Sequence, residues 1–316
     1  MLDSNEKSGI RDLAYKLLVN SRPWDAVRSV EELRREAEEL PVGLRRFMAE
    51  ARVKEEPLIA VANLPVSEDL PPTPESWQEA HRNEAGLLEE VVLLLCASLL
   101  GDPFGWAGSQ GGRLVHDVCP SRGMEESLTN ASSRAALNLH TEDVFHSCRG
   151  DYVSLLCLRN PDRVGTTISR IAAPDRLREL TALWDDRFRF FPDDAHFADS
   201  AEVDLDGRRF EWGPVLFGPK DDPYLRIDPD FTRPEPGDDQ AERSLRACEA
   251  HLADAAERIV LEPGEALFVD NYRVVHGRET FTPRYDGTDR WLKRTNLIRD
   301  IRRAYIHQRS RSRVLS

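Results

Sequence analysis

A chain of 316 residues is long enough to bury a large core, and mixed or all-β units of about 200–300 residues commonly fold as one domain, so one decorated domain over 1–316 is expected. The formal net charge of −13, with a pI near 5.2, repels phosphate backbones and anionic membranes, which excludes nucleic acid and membrane surfaces as expected partners. Cys96, Cys119, Cys148, Cys157 and Cys248 are scattered with no CxxC pair, which argues against a disulfide framework or a structural zinc site and for reduced thiols in a cytoplasm. The first residues, MLDSNEKSGIRD, hold no apolar signal core, and the longest apolar run, 91–95, is too short to span a bilayer. A cytoplasmic protein is expected, with a homo-oligomer left open.

Helical spacing of Ile10, Leu13, Ala14, Leu17 and Leu18 predicts an amphipathic helix over 8–19. Ser29 and Glu32 read as a capping box that starts a second helix, and Pro41 suits the first turn of a third. Residues 58–62 (LIAVA) read as a buried strand, and Pro71, Pro72 and Pro74 as a loop. Asn83 is expected to cap a long helix that runs to Leu100 and stops at Gly101. Beyond it the pattern changes to short strands: 113–118, 138–141, 152–158, 166–171, 210–217, 265–269, 273–276 and 291–298. Helices are expected over 174–187 and 241–260. Residues 218–240, rich in Pro, Gly and Asp, read as a long functional loop or lid. The fold class expected is mainly β with flanking α-helices: a jelly-roll (double-stranded β-helix) core over 106–300, an N-terminal helical flank over 1–105 and a basic tail over 301–316. That tail is expected to be a solvated end or to contact acidic surface.

Residues 138–146 read NLHTEDVFH. In an extended segment side chains alternate faces, so His140 and Glu142 point the same way. A third ligand would complete a set of two histidines and one carboxylate, which suits non-haem Fe(II) because the opposite face stays open for a cosubstrate and O2. His276, in VVHGR, ends an apolar strand before a glycine and is the candidate third ligand; His146 is read as structural. In RWLKR, Arg290, Leu292 and Arg294 share one strand face, and a guanidinium there can hold a carboxylate through two parallel hydrogen bonds.

HTE, then VVHGR, then an arginine fourteen residues after His276, resembles the iron(II)/2-oxoglutarate-dependent oxygenases, and within them the clavaminate synthase-like, TauD-related subgroup; the resemblance spans 108–297. It implies Fe(II) on His140, Glu142 and His276, and the distal carboxylate of 2-oxoglutarate on Arg290. Thr167 in GTT is implied as a further contact of that cosubstrate, with Thr166 as the alternative. Halogenases of the wider family have a small residue at the Glu142 position, so the carboxylate here implies hydroxylation or desaturation, with succinate and CO2 as coproducts.

Asp228 and Asp230 flank a proline that favours extended backbone, so both acids can lie on one side and clamp a guanidinium or ammonium; the alternative is a solvated acidic loop. Arginine β-hydroxylases of the subgroup carry two such aspartates in the lid, and a glutamine matched by Gln110 in GSQGG. The resemblance therefore implies free L-arginine as substrate, in antibiotic or other specialised metabolism. Lysine, capreomycidine and enduracididine are alternatives, and a non-catalytic jelly-roll binding protein is a further one. It also implies substrate contacts from Glu142, Arg294, Leu128 and Asn130, with Arg294 on the substrate α-carboxylate or shaping the cosubstrate pocket.

Overall fold

The computed structural model describes residues 1–21, 24–127, 132–171, 177, 179–193 and 203–316. Among them two sheets face each other. The larger runs in the order Leu58–Val61, Ala266–Asp270, Tyr152–Arg159, Trp291–Ile298, Asp102–Trp106 and Val314–Leu315, with Val115–Val118 also paired to Trp291–Ile298. The smaller runs Glu257–Ile259, Thr166–Arg170, Val274–Arg278 and Leu137–His140. Val118, Leu155, Val269 and Leu292 of the larger sheet meet Ile168 and Val274 of the smaller in one buried cluster. Each such side chain contributes about 1.5–3 kcal/mol when fully buried.

The outer face of the larger sheet is covered by helices. Leu87–Ala97 is buried on every side, as its uniform apolar run requires, and packs with Ser4–Asn20 over the sheet. Its two acids are buried but satisfied: Glu89 accepts the Ser67 amide at 2.7 Å, and Glu90 accepts Trp24 Nε1 at 2.9 Å and Arg113 Nη2 at 2.7 Å. Alternation along Trp291–Ile298 sorts side chains between the two faces. Lys293 meets Asp117 at 2.7 Å beneath the helices, while Leu292 and Arg294 face the space between the sheets.

Several elements depart from the sequence expectations. The second helix is Ala26–Glu36, capped by Asp25, whose carboxylate takes the Val27 and Arg28 amides; Ser29 is buried inside it. The single helix expected from Asn83 is two, Trp77–Arg82 and Leu87–Ala97, because Asn83 closes the first and Gly86 turns the chain at φ 69°. Of the helix expected over 174–187, the described residues show Leu177 in helical conformation and then a 3-10 turn at Thr181–Trp184, followed by an unforeseen strand, Phe188–Phe190. Asp102–Trp106 is a further strand that sequence reading missed. The expected 241–260 helix is Asp239–Asp254 followed by Glu257–Ile259. The 301–316 segment is no solvated tail: it forms Arg302–Gln308 and then Val314–Leu315, which pairs in parallel with Asp102–Trp106 and buries Leu315. Its basic residues do meet acids of the same chain, Arg303 on Asp151 and Arg313 on Asp102. No helix among the described residues is long and apolar enough to cross a membrane.

Candidate active site

Antiparallel pairing sets His276 directly opposite His140. Paired strands lie about 5 Å apart, so register alone brings the imidazoles together, with ring centroids 4.6 Å apart. The approach depends on Gly277, where a Cβ would stand 2.3 Å from the Leu137 carbonyl oxygen. The strand ends at His140, and Glu142 lies in the turn beyond, held by the wholly buried Asn271. Asn271 Oδ1 accepts the Glu142 amide at 2.7 Å, and its Nδ2 donates to the carbonyls of Glu142 at 3.2 Å and Gly150 at 2.9 Å. Glu142 Oε1 then lies 3.2 Å from His276 Nε2 and 3.6 Å from His140 Nε2. One ligand atom from each of these residues lies within 4.8 Å of the other two. Two neutral-capable nitrogens and one carboxylate oxygen, converging from one side, fit a divalent first-row metal and leave positions for other ligands.

The surrounding charges sharpen that fit. His140 Nδ1 lies 2.8 Å from the Asn138 carbonyl, a bond that places the Nδ1 proton there and aims Nε2 at the centre. Burial opposes a charged His140, yet the Glu142 hydrogen bond and the Asp228 charge push it up to about 9. The local field thus favours positive charge at this point, as a metal cation brings. Burial alone would raise the Glu142 carboxyl, but Arg294 and the two imidazoles hold it well below the usual range. Arg294 Nη2 donates to Glu142 Oε2 at 2.7 Å, so one carboxylate oxygen is engaged and the other faces the histidines.

Thr141, between the two ligands, points away from the centre and is wholly buried. Its amide donates to the Ile227 carbonyl at 2.8 Å and its Oγ1 accepts the Ile227 amide at 3.1 Å. This staple sets Asp228 beside the metal-ligand strand. Asp228 Oδ1 accepts the Asp230 amide at 2.8 Å, and Asp230 Oδ2 accepts Asn138 Nδ2 at 3.1 Å. Burial pushes the Asp228 carboxyl up.

Arg290 lines the same pocket and is 6% exposed. Its Nη2 lies 3.5 Å from Thr166 Oγ1, its Nε has no partner among the described residues, and burial pulls the guanidinium down to about 10. A buried guanidinium without a carboxylate is a costly arrangement unless an anionic ligand completes it. The structure places Thr166, not Thr167, in this pocket: Thr166 pairs with Arg278 and Ile168 with His276, while Thr167 pairs with Gly277 on the alternate face.

Gln110 is turned to another task. Its amide bonds both backbone groups of Asp117, at 2.9 and 3.0 Å, and holds the edge of Val115–Val118 outside the pocket. Gln110 does not line the pocket shared by His140, Glu142 and His276. Arg294 lies where expected, but its partner is Glu142. Leu128 and Asn130 lie outside the described residues. Sequence reading missed Asn271, and also His116, which pairs opposite Arg294 and which burial, with Arg294, pushes down to about 3. His146 is buried against Trp106, apart from the metal-ligand cluster.

A family model described as taurine catabolism dioxygenase TauD, TfdA family, matches residues 97–296, which hold the whole smaller sheet and most of the larger one, without its Leu58–Val61 and Val314–Leu315 strands. The chain belongs to the TauD/TfdA family. Among this family member's relatives, enduracididine beta-hydroxylase of Streptomyces hygroscopicus is 41% identical over 310 residues, covering 90% of each chain. L-ornithine/L-arginine 3-hydroxylase of Catenulispora acidiphila is 39% identical over 290 residues, 84% of each. The solved structure of the non-heme iron oxygenase OrfP in complex with Fe and alpha-ketoglutaric acid superposes with a TM-score of 0.90 at 35% identity, covering 100% of this chain and 99% of that one. OrfP with Fe, succinate and (3S)-hydroxy-L-Arg gives 0.88 at 33% identity, covering 100% and 98%.

Proposed function

We propose that this TauD/TfdA chain is an Fe(II)- and 2-oxoglutarate-dependent oxygenase that hydroxylates free L-arginine at C3 or C4, releasing succinate and CO2, in specialised metabolism. C3 is the position named for the ornithine/arginine relative and for the OrfP product. The observation that carries the reading is Arg290, a buried guanidinium that lacks a carboxylate among the described residues and faces the pocket shared by His140, Glu142 and His276. A dicarboxylic cosubstrate answers both halves of that pocket: one end for the metal, the other for Arg290.

In this reading His140, Glu142 and His276 hold the iron, and Arg290 with Thr166 holds the distal carboxylate of 2-oxoglutarate. When bound, iron and 2-oxoglutarate use O2 to supply an oxidant able to attack an unactivated C–H bond. The protein's own part is placement. Asp228 and Asp230 grip the substrate guanidinium and so decide which carbon faces the metal. Glu142 and Arg294 meet the α-amine and α-carboxylate, with Arg294 exchanging Glu142 for the substrate. Burial of the pocket excludes water from the reacting groups. The two facing sheets are read as a jelly-roll core, 218–240 as its lid and the whole chain as one oxygenase domain. Five free, buried cysteines suit a cytoplasmic setting. Enduracididine, named for the 41% relative, is a cyclised arginine whose guanidine the same acids would hold, so it is the second substrate to test.

The experiment is incubation with Fe(II), 2-oxoglutarate, O2 and a panel of arginine, enduracididine, ornithine and lysine. The expected result is succinate in step with a product one oxygen heavier than arginine. No succinate with any member of the panel would overturn the reading; loss of two hydrogens instead of gain of oxygen would make it a desaturase.

A further inference from the structure

Asn138 stands two residues before His140, so its side chain leaves the strand on the same side as the imidazole. It is exposed at the rim of the site, and it uses both its main chain and its side chain there. The Asn138 carbonyl fixes His140 through Nδ1 at 2.8 Å. The Asn138 amide group donates to Asp230 Oδ2 at 3.1 Å, across 92 residues of sequence. Asp230 is in turn tied to Asp228, whose charge reaches His140. One residue therefore joins the strand that carries a metal ligand to the acidic pair at the far end of the substrate.

We propose that Asn138 is a positioning residue that determines substrate specificity: by fixing the Asp230 carboxylate relative to His140, it sets the length of basic side chain the site accepts. This rests on the reading of Asp228 and Asp230 as a cation clamp. The physical case is one of alignment. A carboxylate at a rim has several rotamers, and a hydrogen bond to a charged acceptor is enough to select one. The selected position fixes the distance between the substrate's cation and the metal centre. A misplacement of about 1 Å between a reacting carbon and its oxidant costs on the order of a hundredfold in rate. Arginine, lysine and ornithine differ in reach by steps of that size, so the same amide that steadies Asp230 discriminates among them. His140 is insulated from changes to this side chain, because its own partner is the main-chain carbonyl.

The test compares wild type with Asn138→Ala, which removes the amide, and Asn138→Asp, which sets a like charge beside Asp230. Steady-state kinetics are taken on arginine, lysine and ornithine, and Mn(II) binding is followed by EPR. Asn138→Ala is expected to raise KM for arginine about tenfold with a smaller change in kcat, and to narrow the preference for arginine over the shorter amines; Asn138→Asp is expected to do more. Mn(II) affinity should stay within twofold of wild type. Unchanged KM and unchanged ranking of the three substrates would overturn the proposal, as would a loss of Mn(II) affinity that matches the loss of turnover. The Asp228→Asn, Asp230→Asn double variant separates the two levels of inference. If it keeps wild-type arginine kinetics, the clamp reading fails and the role of Asn138 with it. If it loses arginine while Asn138→Ala does not, the role of Asn138 alone fails.

Discussion

Arg290→Met should stabilise the metal-free, cosubstrate-free protein while removing its use for 2-oxoglutarate. Burial that draws this guanidinium down to about 10 corresponds to about 3 kcal/mol of unfavourable desolvation. The Thr166 contact at 3.5 Å lies at the limit of a hydrogen bond and offsets little of it. The guanidinium stays charged at all working pH values below about 10, so the penalty is present in full at neutral pH. Replacing a buried charge by an apolar side chain of similar volume commonly stabilises by about 1–4 kcal/mol. Urea unfolding of chelator-treated protein should therefore show Arg290→Met about 1–3 kcal/mol more stable than wild type. With Mn(II) and 2-oxoglutarate added, the order should reverse: wild type gains about 2.7 kcal/mol at a ligand concentration near a hundred times Kd, and the variant gains far less. A variant more than about 1 kcal/mol less stable than wild type without ligands would mean that Arg290 already has a compensating partner. The case for an anion site would then lose its footing.

Asn271→Ala, which removes the clasp on the Glu142 main chain, should weaken Mn(II) binding about 10–100-fold in an EPR titration, as loss of a ligand's supporting shell does; affinity within twofold of wild type would refute that role. Asp270 should make stability fall as pH rises. Burial pushes its carboxyl up to about 7, whereas an unfolded aspartate titrates near 4, so the native state holds an extra proton between those values and loses stability across the window from about 4 to about 7. Asp270→Asn keeps an acceptor for the Tyr272 amide at 2.9 Å and should be more stable than wild type at pH 8 by up to a few kcal/mol, with the difference shrinking toward pH 4; a difference that does not vary with pH would refute the assignment.

The metal ligands were legible because each rests on a short-range rule. His140 and Glu142 stand two residues apart, close enough to converge although the strand ends at His140 and Asn271 holds Glu142 in the turn, and His276 lies mid-strand beside a glycine that lets the chain close against its neighbour. Thr166 and Thr167 could not be told apart from GTT alone, since the choice depends on register against Gly277, a contact more than a hundred residues away. The helix after the proline loop misled for a local reason: Asn83 is a good cap at either end of a helix, and Gly86 carried the signal that the chain turns there. Ser29 lost to Asp25 because both precede the same apolar stripe, and only burial of Ser29 decides between them. Asn271 left a faint mark, a polar residue between a buried aspartate and an apolar strand, whose meaning appears only when Glu142 is brought beside it. Gln110 carries a local role that its motif did not signal: its amide bonds the backbone of Asp117 at a strand edge.

The Val314–Leu315 strand closes the rim of the larger sheet, over Phe104 and Trp106. Sheets whose outermost strand lies bare are templates for sticking to other copies. Removing residues 313–315 would leave the Gly105 and Ala107 amides without their backbone partners and uncover the aromatic patch behind them.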